Sequence, residues 1–293
     1  MKKLLICILF LFTFIIYKYN FPLKTIETSI NNLTYNLSSE ERQFLINNNI
    51  TYYDILPYLK YNSFNLYDYY KYEQIRIVND YSYLQTINAY NYPNYYNEYV
   101  YPSEALYPYT PLVLINKSFF VSKDYNPKSL KHISNYNIPY IERKGEEMMA
   151  EKIVLDNYTQ MYQDALESGI ELIIYSAFRT YDKQFHLYYN VNKENNLLSA
   201  KPGFSEHQGG YSLDISDKTH GLTIHLKDSD TYKWLISNSF KYGFILRYPE
   251  NKTKITKYSF EPWHFRFVGQ QHSEKIMKEK ITLEEYLFNN YEL

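Results

Sequence analysis

The sequence predicts an α+β protein, a small antiparallel sheet with flanking helices, preceded by a small all-helical module. Three observations carry this. From Pro111 onward, helical and strand patterns are mixed without the strict alternation of a doubly wound sheet. Residues 36–92 instead show helix-capping signals between short apolar clusters. The composition, 45% apolar and 22% charged over 293 residues, belongs to a chain able to bury a core and not to a disordered one.

The elements follow in order. Lys2 and Lys3 precede an apolar run from Leu4 to Tyr17, closed by Lys18, and no small-residue cleavage site follows it. This layout predicts an uncleaved signal anchor over residues 1–20, with the lysine pair inside and the body facing outward; a cleaved, secreted form is the alternative. Residues 21–35 read as a tether. In the helical module, Ser38 with Glu41 and Thr51 with Asp54 are capping-box patterns, each followed by apolar clusters such as Phe44-Leu45-Ile46 and Ile55-Leu56. The module and its Pro- and Tyr-rich connector run to residue 110.

From 111 to 293 the texture changes. Leu112–Ile115 predicts a short strand and Glu146–Ser168 a long helix, with Met149, Ile153, Met161, Ala165 and Leu166 on its apolar face and Gly169 just past its end. Glu171–Ala177 predicts a strand and 181–191 a helix. Gly210–Ser216 alternates as a strand, Ser229–Phe240 is helical, and Phe244–Arg247 and His264–Val268 are strands. The last 20 or so residues are helical, with Thr282 and Glu285 as another capping box.

Composition also excludes functions. A formal net charge of -1 lacks the basic excess of a nucleic-acid binder. The single cysteine, Cys7, rules out an internal disulfide, a Cys-rich zinc site and a Cys-His nucleophile in the folded body. Of the 37 tyrosines, 18 fall within residues 51–110. They admit two readings, a surface stacking on sugar rings or core filler in a chain rich in A/T-coded residues. The second is favoured because Tyr can bury its ring and keep its hydroxyl wet.

The chemistry concentrates in two segments, Ser205–Asp214 and Phe260–Phe265. A catalytic zinc takes three ligands from His, Asp or Glu and keeps one position open. His207, Asp214 and His264 fit that set: Gly209 and Gly210 let the chain turn, and strand alternation puts Ser212 and Asp214 on one face while Leu213 and Ile215 face the core. A His and an Asp at this spacing also occur as an ordinary surface pair. Glu261 stands three residues before His264, with Pro262 breaking regular pairing between them. A carboxylate there suits the general base of metal-assisted hydrolysis, and the plain alternative is a solvated loop carboxylate. Trp263 reads as a packing residue that also walls the pocket. His186 and His272 read as surface or packing residues, His220 and His225 as loop histidines that either edge the cleft or are solvated, and His132 is unassigned; Arg247 and Arg266 are strand residues expected to pair with carboxylates, with no assigned function.

The chain resembles the VanY-type D-alanyl-D-alanine carboxypeptidases, zinc peptidases of the LAS group. The family pattern Ser-x-His-x-x-Gly-x-Ala-x-Asp is matched at Ser205, His207, Gly210 and Asp214, and Glu-x-Trp-His at Glu261, Trp263 and His264. Ser176–Thr180 with Gln184 looks like a third family motif, and Phe244–Pro249 also has the family's look. The chain departs at Ser212, where Ala is usual, which bears on packing and not on ligation. The likeness spans about residues 112–271. It implies a LAS/Hedgehog-like fold and a zinc peptidase hydrolysing the terminal D-Ala of peptidoglycan stem peptides. His207, Asp214 and His264 would be the metal ligands, Glu261 the base, and Arg179 the group holding the scissile carbonyl oxygen or substrate carboxylate. Ser205, Gln184 and Trp263 would be substrate contacts. L,D-carboxypeptidase or endopeptidase action, a non-catalytic wall-binding protein and a membrane-anchored adhesin remain as competing readings.

Overall fold

The computed structural model describes residues 37–91, 102–192 and 199–290, so the expected signal anchor and tether lie outside the described residues. Among the described residues, no helix is long and apolar enough to cross a membrane. The chain divides into two compact units, Met1–Pro93 together with Phe288–Glu292, and Asn94–Leu287.

The first unit is helical. Its helices are α1 (Ser39–Asn47), α2 (Tyr52–Ile55), α3 (Tyr69–Asn79) and α4 (Tyr83–Asn91). Both capping boxes form: Ser38 and Glu41 exchange bonds at the start of α1, and Thr51 and Asp54 at the start of α2. Four of the tyrosines are core. Tyr52, Tyr58, Tyr69 and Tyr72 pack with Leu45, Ile50, Ile55 and Ile87. The buried Tyr58 hydroxyl donates to Glu73 at 2.7 Å, so its polar end does not oppose burial. Tyr53, Tyr67 and Tyr70 stay exposed.

The second unit is α+β. Two short ribbons come first: β1 (Ser103–Glu104) pairs in parallel with β2 (Phe119–Phe120), and β3 (Leu130–His132) antiparallel with β4 (Met149–Glu151). Helix α5 (Lys152–Glu167) follows, then β5 (Ile173–Ser176) and α6 (Tyr181–His186), which runs into a π turn over Leu187–Val191. A 3-10 turn over Glu206–Gly209 leads into β6 (Ser212–Ser216). The remainder is α7 (Asp230–Asn238), β7 (Phe244–Leu246), α8 (Thr253–Thr256), β8 (His264–Phe267), α9 (Gln270–Glu279) and α10 (Leu283–Asn290). The central sheet has the order β5-β6-β8-β7, antiparallel throughout. The third capping box, Thr282 with Glu285, opens α10.

Three local expectations are corrected. Residues 146–151 are not the start of the long helix. Met149 to Glu151 pair with Leu130–His132, so α5 starts at Lys152 and buries Val154, Leu155, Tyr158, Met161 and Ala165, leaving Ile153 and Leu166 exposed. Leu112–Ile115 is not a strand. The carbonyls of Pro111 and Val113 accept from Arg266 Nη2 at 2.8 and 2.7 Å, and only Leu114 forms a bridge, to Leu106. The 181–191 helix loses α geometry after His186, where the π turn begins.

The core lies on one face of the sheet. Leu213, Ile215, Phe265 and Phe267 share it with the buried stripe of α5. Strand alternation therefore turns Ser212, Asp214, His264 and Arg266 to the opposite face, yet all four are buried as well. A polar face that is dry must be matched by polar partners.

Candidate active site

Two chain segments meet on that polar face. Gly210, at φ +80°, closes the 3-10 turn and swings the chain into β6, which brings Asp214 back beside His207. Across the sheet, Asp214 is the direct partner of His264 in the β6–β8 register. On one face of an antiparallel pair, directly opposed side chains are near neighbours.

Asp214 Oδ2 lies 3.4 Å from His207 Nε2, and Asp214 Oδ1 lies 3.1 Å from His264 Nδ1. One ligand atom from each of these residues falls within 4.8 Å of the others. Donors about 2.1 Å from a tetrahedral ion stand roughly 3.4 Å apart, so the two Asp–His separations suit such a cation. Both oxygens of the buried Asp214 carboxylate face a histidine nitrogen, a donor set of one carboxylate and two imidazoles that suits a divalent cation. The ring orientations agree. His207 Nδ1 contacts the Ala177 carbonyl at 2.6 Å; a carbonyl only accepts, so Nδ1 carries the proton and Nε2 is left to ligate. His264 points the other nitrogen inward, with Nδ1 also 3.6 Å from Glu261 Oε2.

Charge follows from this packing. Burial works against ionised Asp214, but His207 and His264 hold it well below the usual carboxylate range. Burial raises Glu261 to about 7, with Asp214 adding to the rise and His264 and Arg179 opposing it. Burial alone would lower His264, but hydrogen bonding to Asp214 and Glu206 carries it up to about 9. His207 is lowered, chiefly by burial.

The other sequence-predicted residues line the same cavity: Arg179, Gln184, Ser205 and Trp263. Arg179 Nη1 donates to Gln184 Oε1 at 2.6 Å and Nη2 to Ser176 Oγ at 3.3 Å. Its backbone N–H bonds the His207 carbonyl at 3.1 Å, which ties the arginine loop to the ligand turn. Gln184 is buried, and its amide nitrogen donates to Ala200 O at 2.6 Å and Ser199 Oγ at 3.3 Å. Its amide therefore serves protein partners. The remaining histidines stay away: His186 meets Asn190, His220 meets Asp217, and His272 meets Tyr286.

Two groups that sequence reasoning gave no role stand at the site. Tyr248 packs its ring 4.8 Å from His264 and lines the cavity. Glu206, between the motif residues Ser205 and His207, is fully buried against Arg247 and Arg266. The expectation that the two strand arginines pair with carboxylates is met, and Glu206 is the partner they share.

A family model described as VanY, D-alanyl-D-alanine carboxypeptidase, matches residues 147–270. A bifunctional D-Ala-D-Ala dipeptidase and D-Ala-D-Ala carboxypeptidase of Enterococcus gallinarum, VanXYC, is 35% identical over 60% of this chain and 92% of its own length. The chain belongs to the VanY family. A Bacillus subtilis strain 168 protein named as a carboxypeptidase, YodJ, is 36% identical over 61% of this chain and 67% of its own. Among solved structures, the LdcB LD-carboxypeptidase superposes with a TM-score of 0.56 at 33% identity, covering 61% of this chain and 87% of that one. The VanY match contains every residue that converges on the cavity centre, from Arg179 to His264.

Proposed function

We propose that the protein is a zinc-dependent D,D-carboxypeptidase that hydrolyses the terminal D-Ala of peptidoglycan stem peptides. The single observation that carries this is the convergence of His207, Asp214 and His264 on one buried point beside Glu261. In this reading those three residues hold the metal. Zinc bound there would polarise water and the scissile carbonyl.

The chain's own residues do the rest. Glu261, with its carboxyl raised by burial, takes a proton from the attacking water and returns it to the leaving amine of D-Ala. Arg179 presents a permanently charged, planar fork to the developing oxyanion or to the substrate carboxylate. Gln184 and Ser176 fix that fork, so Gln184 acts through Arg179 and not by touching substrate. Ser205 and Trp263 line the cavity as substrate contacts, and Trp263 and Tyr248 limit water around the reacting atoms.

The cell-wall substrate places the reaction outside the cell. We read residues 1–20 as the anchor that holds the protein at the membrane, and residues 36–110 as a module and connector separate from catalysis.

A second reading is L,D-carboxypeptidase action, favoured by the likeness to the LdcB LD-carboxypeptidase. Metal analysis of the purified protein with muropeptides of defined length separates the two. Free D-Ala from pentapeptide with tetrapeptide inert supports D,D action; release from tetrapeptide alone supports L,D action. A protein with no bound zinc and no release from either substrate overturns both.

A further inference from the structure

Behind the cavity lies a buried group of charges that the hydrolytic reading does not use. Glu206, Arg247, Arg266 and Glu284 are almost entirely removed from solvent. Glu206 Oε1 accepts from Arg247 Nε at 2.7 Å and from Arg266 Nη1 at 2.8 Å. The rest of the Arg247 fork is bidentate to Glu284 on α10, at 2.8 and 2.5 Å. The four charges balance, two of each sign, which is the condition for burying them.

The two oxygens of Glu206 have different work. Oε1 carries both guanidinium contacts. Oε2 accepts from the Ser212 hydroxyl at 3.2 Å and stands 3.5 Å from His264 Nε2. That nitrogen is buried with Glu206 Oε2 as its neighbouring carboxylate oxygen, on the side of the ring away from Nδ1, which faces Asp214 and Glu261. A ligating histidine commonly donates its second ring N–H to a carboxylate, which sets both tautomer and ring angle. Ser212, where the family pattern has Ala, turns its hydroxyl to the same oxygen.

We infer that Glu206 is a positioning residue for His264: its carboxylate, fixed by Arg247 and Arg266, receives the Nε2–H and holds Nδ1 toward the metal. The inference rests on the reading of His207, Asp214 and His264 as metal ligands. It also makes α10 part of the site's support, because Glu284 holds Arg247, which holds Glu206.

Glu206→Gln in the full-length protein removes the charge and keeps the shape. Because it leaves the buried group with an excess positive charge, the paired variant Glu206→Gln with Arg266→Gln restores balance and serves as the second arm. Zinc affinity is read by competition with a chromophoric chelator, and the His264 ring by its nitrogen and Nε2–H resonances, with and without zinc. The expected result is a loss of about 10–100-fold in zinc affinity in each folded variant. The Nε2–H resonance moves upfield and exchanges faster, in the metal-free protein as well. Unchanged affinity and an unchanged His264 resonance in a folded variant overturn the inference. A wild-type protein that binds no zinc overturns the metal reading instead, and the metal-free resonance still decides whether Glu206 holds the ring.

Discussion

Asp214 and His264 are direct cross-strand partners, residue opposite residue in the β6–β8 register, with Asp214 Oδ1 3.1 Å from His264 Nδ1. The sheet itself therefore builds half of the site. His207 arrives from the turn just before β6, and Glu261 from the loop just before β8, so each strand delivers one partner at its start and one on its face. Two of the three ligand positions, Asp214 and His264, therefore rest on strands in the middle of a four-stranded sheet.

Removing the base without removing a ligand separates chemistry from metal binding. Glu261→Gln keeps zinc and lowers kcat by about 10²–10⁴-fold, the range for loss of a general acid–base group. Zinc stoichiometry and single-turnover D-Ala release check it. Loss of metal in step with activity would reassign Glu261 as a ligand.

Metal affinity depends on pH through His264. In the metal-free protein its value of about 9 means that an imidazolium proton blocks Nδ1 at neutral pH. Zinc must displace that proton, so affinity falls about tenfold for each pH unit below about 9. Chelator competition between about pH 6 and 8 measures the slope. A flat profile would mean that His264 is neutral before the metal arrives.

Glu261 sets the sign of two further pH effects. A base must be ionised, so kcat/KM rises with pH along an acid limb at or below about 7, because a bound cation favours the carboxylate. In the metal-free protein the same group is raised from 4.5, so its contribution to stability is present below about 4.5 and lost as pH rises through about 7. Glu261→Gln removes that loss and stabilises the metal-free protein at about pH 8, on the order of 3 kcal/mol. Melting curves across that window test it, and parallel curves for the two proteins would count against burial as the cause.

Arg179→Lys replaces a fork held at two points by a single ammonium. The expected loss in kcat/KM is about 10²-fold or more, carried mostly by kcat if the fork meets the oxyanion and mostly by KM if it meets the substrate carboxylate. Near-normal rates would leave Arg179 a structural role.

Gly210→Ala tests the turn. The position has φ +80°, and an added Cβ would meet Pro127 Cγ at 3.0 Å and Glu151 Cγ at 3.3 Å. Strain and crowding together predict a destabilisation of about 1–3 kcal/mol, with weaker zinc binding because His207 and Asp214 sit on either side of this turn. Denaturant unfolding and chelator competition give the two readouts; a variant as stable as the wild type would show that the turn relaxes freely.

Much of this was legible in the residues. The three capping boxes form because each needs only a short stretch of chain, Ser38 to Glu41, Thr51 to Asp54 and Thr282 to Glu285. The alternation of β6 foretold that Leu213 and Ile215 face the core and Asp214 the other side. Where local pattern failed, a distant partner had intervened. Leu112–Ile115 reads as a strand but spends its neighbouring carbonyls on the Arg266 guanidinium, and Met149 reads as helical but pairs with His132.

By itself the sequence determined which side chains could do chemistry and in what order the chain presents them, since residue type, strand period and turn-forming glycines act over a few positions. The tertiary structure alone decided that Asp214 stands opposite His264, which ring nitrogen each histidine turns inward, and that Glu206 lies dry behind them between two arginines. Strand register, ring orientation and burial of charge are set by atoms far apart along the chain, and no local spacing encodes them.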